Sequence, residues 1–282
     1  MSTQLATNTY GSSRIHLLRV SKQQGRHDIR EISLSVRFEG DFEAAHTSGD
    51  NRKILPADTI DNTVYALARQ HSIEPLENFG QHLIEHFLTY NPQVHSVLID
   101  ANENRWTRLP HGGKLHASAF ESGGNEERTC FLTGTRTGTQ ARAGIRNLAV
   151  LKTSKSSFQD FKKDPYTTLQ DDRQTILSTV IAADWLYSEE DPQFGPLWHA
   201  ARKMLLETFA EHESHSLQHT LYAIGDAILS NFDNISEIHL SLPSKQFYLA
   251  DLTALGMDNP DAVFLPRCEP HATIEATLRK TL

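Results

Sequence analysis

The order in which strand-like and helix-like patterns follow one another constrains this chain more than any single motif. The stretch "IREISLSVRF" (29–38) alternates Ile32, Leu34, Val36 and Phe38 with Glu31, Ser33, Ser35 and Arg37. That spacing gives a strand one buried and one wet face. The preceding "SRIHLLRVSKQQGRHDI" supplies a partner strand and a hairpin turn at its glycine. Helical spacing comes next, with Asp58 as a favourable N-cap and Ile60, Val64 and Leu67 on one face. A second helix is expected from near Pro75, striped by Leu76, Phe79, Leu83 and Phe87. Strand patterns at 94–109 and 127–137 complete the half, separated by a Gly-rich loop, "HGGKLHASAFESGGNEE".

The second half repeats that order. Strand patterns occupy 145–153 and 175–187, and a helix is expected after Pro196 with Leu197, Ala201, Met204 and Leu205 on one face. Another helix runs through Leu217, Leu221, Ile224 and Ile228, and strands return at 235–242, 247–252 and 272–279. Each half reads ββ-αα-ββ, so residues 10–140 and 141–282 are expected to be tandem repeats of one unit. The fold class is α+β, with antiparallel sheets and the helices on one face. Long open sheets leave edges to cover, and ring-like assembly of several subunits covers them.

Composition narrows the function classes. No apolar run approaches the roughly 18 residues that span a bilayer, and "MSTQLATNTYGSS" has no apolar core of a secretory signal. The terminal "RKTL" is not an SKL-type peroxisomal address. Cys130 and Cys268 are the two cysteines and neither lies in a CxxC, which fits reduced thiols and a cytoplasmic setting. A net charge of −8 without a Lys/Arg stripe argues against nucleic acid as a partner, and nothing points to a membrane. The 15 histidines are scattered without HExxH or HxH spacing, so no metal site is expected. A phosphate loop of the GxxxxGK[ST] type is absent. His116 reads as a loop or interface histidine, Lys245 as a surface charge, and Trp106, Trp185 and Trp198 as packing residues.

Longer strings carry a resemblance. "SGDNRKILPADTIDNTVYALA" (48–68), "LAVLKTSKSSFQDFKKDPYTTL" (148–169), "HSLQHTLY" (215–222), "SLPSKQFYLADL" (241–252) and "DNPDAVFLPRCEPHATIEAT" (258–277) resemble urate oxidase, in order along the chain. The resemblance implies the tunnelling fold (T-fold), with two ββααββ repeats per subunit and a homotetramer around a tunnel. Purine-like rings then bind at subunit interfaces. It also implies oxidation by molecular oxygen with no metal and no organic cofactor.

Transferred position by position, the resemblance places the ring-stacking residue at Phe158, the clamping amide at Gln218 and, at Asp58, the aspartate beside the relay threonine's position. Elsewhere this chain departs from the family's pattern. Thr175 stands where the family has the clamp arginine, and Ser12 where it has the relay lysine. Ala57 replaces the relay threonine, Ser244 the oxygen-site asparagine and Gln246 the relay histidine. Arg173, two residues before Thr175, is placed to reach part of the way into the clamp. Arginine's bidentate grip contributes about 1.5–3 kcal/mol per charge-assisted bond. Removing a proton relay costs on the order of 10²–10⁴ in rate. Three readings follow: an oxidase of the same type for another flat heterocycle, a non-catalytic binding or assembly relative, and a residual urate oxidase. The polar character of Ser12, Thr175, Ser244 and Gln246 favours the first.

Overall fold

The computed structural model describes residues 3–169, 176–189, 192–267, 269 and 272–281. The chain divides into two compact units, Met1–Gly144 with Leu186–Trp198, and Ile145–Trp185 with His199–Leu282.

The first unit contains β1 (Tyr10–Gln23), β2 (Arg26–Gly40), a short α1 (Glu43–Thr47), α2 (Ala57–Gln70), α3 (Leu76–Tyr90), β3 (Val94–His111) and β4 (Lys114–Thr135). Its strands lie in the order β1-β2-β3-β4, each pair antiparallel. Strand β5 (Gly138–Lys152) pairs with β4 and runs on into the second unit. The alternation in 29–38 is realised as written: Ile32, Leu34, Val36 and Phe38 are all buried. Phe38 meets Phe87 of α3 at 5.0 Å, so the apolar face of the sheet and the helix stripe form one core. Helix α3 lies close on β4 because Gly80 faces Leu132 and Gly134 faces Ile84, where neither glycine has room for a Cβ.

Beneath the start of α3, Arg128 of β4 donates to Glu77 Oε2 at 2.6 Å, and the two side chains are 5% and 0% exposed. Trp198 covers the guanidinium at 5.0 Å and donates its indole N–H to the Gly144 carbonyl at 2.9 Å. Trp185 is also buried, whereas Trp106 is exposed and donates to Glu31 Oε2 at 2.7 Å. Cys130 is 1% exposed, and burial pushes its thiol well above the usual range. Cys268 lies outside the described residues.

The second unit holds β6 (Leu177–Tyr187), most of α4 (Phe194–Glu211), α5 (Leu217–Asn231), β7 (Ile235–Ser241), β8 (Ser244–Leu249), β9 (Phe264–Arg267) and β10 (Glu275–Arg279). Its main ladder runs β5-β6-β7-β10, and β8 pairs with both β6 and β9. Helix α5 packs on β7 and β10 at Gly225, which abuts Leu278.

Several expectations need correction. The stretch 111–127 is not a loop. Only Gly112 and Gly113 turn, both at positive φ, and β4 continues from Lys114 paired antiparallel with β3 (His111↔Lys114, Thr107↔Glu121), with a register shift between Arg108 and Pro110. His116 therefore lies on a strand. Asp58 is not the N-cap of α2. Pro56 takes that position, its carbonyl accepting from the N–H groups of Thr59 and Ile60. Asp58 instead sits in the first turn and accepts from Asn62 Nδ2 at 3.0 Å. Helix α4 begins at Phe194, which puts Pro196 in a first turn where its missing N–H costs nothing. The strand expected at 247–252 begins at Ser244, and β9 was not anticipated.

Candidate active site

The chain just before Phe158 is joined to the chain just before Gln218. A bridge joins Ser156 to Ser214, with the Ser157 N–H donating to the Ser214 carbonyl at 2.8 Å and the Ser214 N–H to the Lys155 carbonyl at 2.9 Å. Ser214 Oγ lies 2.5 Å from Thr220 Oγ1, which ties this bridge to the first turn of α5. Ser216 caps that helix, its hydroxyl accepting from the His219 N–H at 3.1 Å. Gln218 is the second helical residue, and its amide is exposed. Phe158 is 37% exposed and lies parallel to Phe161, ring centres 5.0 Å apart.

Ser244 and Gln246 lie in the same unit, on β8. Ser244 opposes Thr179 and donates its N–H to the Ala272 carbonyl at 2.9 Å. Gln246 opposes Arg267, and its Oε1 accepts from the Tyr248 hydroxyl at 2.5 Å. Both positions are fixed by backbone pairing, and Gln246 is exposed. Thr175 and Arg173 lie outside the described residues.

Ser12, Ala57 and Asp58 belong to the first unit. The Tyr10 hydroxyl accepts from the Leu55 N–H at 2.9 Å, which fastens the start of β1 to the chain just ahead of α2. Burial pushes the Tyr10 phenol up, against the effect of that hydrogen bond. Gly11 lies so close to the Val36 carbonyl that no Cβ fits, and Ser12 pairs with Val36 before a bulge. The segment before α2 is held by Lys53 on Asp41, by Gln93 Nε2 on the Lys53 carbonyl at 2.9 Å, and by Arg52 on Asp50. Hydrogen bonds from Arg52 hold the Asp50 carboxyl at about 2. Ala57 and Asp58 are exposed at the end of this braced segment.

The sequence reading passed over one group. His212, His215 and His219 converge at the start of α5: the His212 and His219 rings are 4.3 Å apart edge to face, and those of His215 and His219 are parallel at 5.3 Å. His215 Nδ1 is 3.4 Å from Ser157 Oγ. Burial, then the neighbouring His219, Lys152 and His215, hold the His212 imidazole below its usual range. The available signal was "HESHSLQH" itself, three histidines around a helix start. Among the described residues, no group of His, Cys, Asp and Glu is arranged to hold a metal ion.

Comparison with known proteins decides the family. The Uricase family model matches residues 8–133 and 141–275. The chain belongs to the uricase family. It is 37% identical to the uricase of Arthrobacter globiformis over 276 residues, covering 98% of this chain and 90% of that one. The uricase of Dictyostelium discoideum is 31% identical over 281 residues, 98% of each chain. The crystal structure of Arthrobacter globiformis uricase superposes with a TM-score of 0.93 at 36% identity, over 99% of this chain and 96% of that one. Urate oxidase from Bacillus sp. TB-90, at 20% identity and TM-score 0.85, shares the fold. The architecture is thus the α+β tunnelling fold of uricases. No helix among the described residues is long and apolar enough to cross a membrane.

Proposed function

We propose that this uricase-family chain is a cofactor-independent oxidoreductase that uses molecular oxygen on a flat, purine-related heterocycle, with urate itself a poor substrate. The observation that carries this reading is the Ser156–Ser214 bridge, which ties the chain just before Phe158 to the chain just before Gln218. The positions matching the family's relay and oxygen site hold Ser12, Ala57, Ser244 and Gln246. The ring stacks on Phe158, and the Gln218 amide pairs with a lactam edge by one donated and one accepted hydrogen bond. Asp58 orients a water or peptide group, and Ser244 and Gln246 face oxygen. Two electrons and two protons leave the ring, and oxygen takes up both to become hydrogen peroxide. A ring bound neutral does not need the clamp arginine, and one that ionises easily or is already electron-rich needs less help from a base. The resemblance to urate oxidase implies that such sites lie between neighbouring subunits of a cytoplasmic homotetramer.

Oxygen consumption across purines, pterins and flavin-like rings tests this. Turnover of at least one ring, reduced in Phe158→Ala and Gln218→Ala, supports it. An intact tetramer that turns over none of them favours a binding or assembly protein, a reading supported by the replacement of Lys, Thr and His at the relay positions. Loss of the urate ultraviolet band on adding protein, slowed in Gln218→Ala, favours a residual urate oxidase.

A further inference from the structure

The imidazole cluster flanks the two residues assigned to the ring. Ser157, whose hydroxyl lies 3.4 Å from His215 Nδ1, directly precedes Phe158, and His219 directly follows Gln218. The His215 backbone N–H donates to His219 Nδ1 at 3.4 Å, so the neutral His219 ring carries its proton on Nε2 and presents a donor. The first turn of α5 holds His219. With Nδ1 of His215 engaged by Ser157, its Nε2 is the nitrogen left open.

The charges facing the cluster come from each packed element. Lys152 of β5 donates to the carbonyls of Phe209 and His212 at 3.1 and 2.6 Å. Lys155, beyond β5, pairs with Glu211 of α4 at 2.7 Å, and Glu213 lies in the link between α4 and α5. Imidazole both accepts and donates a proton, and two such rings lie parallel here at 5.3 Å.

We propose that His215, with His219 beside it, is the proton-accepting group for a ring stacked on Phe158 and held by Gln218. The pair takes the place of the relay positions where Ser12, Ala57 and Gln246 now stand. The inference rests on the ring-site reading above and adds the group that ionises the substrate. An acidic ring N–H gives its proton to His215 Nε2; the electron pair of that bond stays on the ring, leaving a ring anion against an imidazolium. His219 Nε2–H donates to a ring oxygen.

Urate, bound as its anion, is the probe. Calorimetry in two buffers of different ionisation enthalpy counts the protons taken up on binding. The wild-type protein takes up as much as about one proton per site, and its affinity falls by up to about tenfold per pH unit above neutrality. His215→Gln, and the double variant with His219→Gln, bind urate without that uptake and with a flat pH dependence. Both side chains are exposed, so the melting temperature stays at the wild-type value. His71→Gln, which alters a remote stacked histidine pair in the first unit, leaves the uptake unchanged. Equal uptake in wild type and in His215→Gln overturns the proton-acceptor role while leaving the ring site standing. Absence of urate binding in the wild type overturns the ring-site reading, and this inference falls with it.

Discussion

Arg128 and Glu77 form an ion pair at 2.6 Å that is almost completely withdrawn from water, with the Trp198 ring over the guanidinium. Such a pair does more to hold the start of α3 against β4 than to add net stability, because two charges were desolvated to make it. Arg128→Ala or Glu77→Ala leaves one charge buried and unpaired, and lowers stability by about 3–5 kcal/mol. The urea midpoint falls at constant slope. Arg128→Met with Glu77→Leu recovers most of that loss.

Close approach of α3 to β4 makes a second prediction. A Cβ at Gly134 meets three atoms of the Ile84 side chain at once. Gly134→Ala therefore overpacks the interface and costs about 1–3 kcal/mol. Combining it with Ile84→Ala gives a smaller loss than the sum of the two single variants, read as a double-mutant cycle.

Acid stability carries the mark of Asp50. Hydrogen bonds from Arg52 lower this carboxyl to about 2 in the folded protein, below its unfolded value. The stabilisation is thus fully present above about pH 4 and is lost as pH falls through about 2. Asp50→Asn flattens that part of the curve of melting temperature against pH, and leaves the curve above pH 5 unchanged in shape.

Restoring the relay tests the proposal that urate is a poor substrate. Ser12→Lys, Ala57→Thr and Gln246→His together raise urate turnover by a factor on the order of 10²–10⁴. The fall of the urate ultraviolet band measures it. An unchanged rate places the defect in the ring clamp rather than in proton transfer.

Much of the fold was legible because its signals are periodic and local. Ile32, Leu34, Val36 and Phe38 face one core with the stripe of α3, and the stripe of α5 is buried within the second unit. The outer half of the β3–β4 ribbon was hidden because both of its faces are largely exposed, so no apolar alternation marks it. Asp58 has the chemistry of a cap, but Pro56 with its preset φ already begins the helix. Strand β9 is four residues long and contains a proline, features that argue against a strand. At the site, Phe158 and Gln218 stood out through long matched strings. The His215–Ser157 contact did not, because it joins residues 58 apart and no spacing rule within a segment reports it.

Cys130 has a use outside catalysis. Its sulfur is enclosed within β4, and burial disfavours the thiolate that reacts with alkylating reagents. In a Cys268→Ser background, labelling therefore waits until β4 parts from its surroundings. The labelling rate then counts openings of the first unit's sheet, timing excursions from the native state that an equilibrium melt averages away.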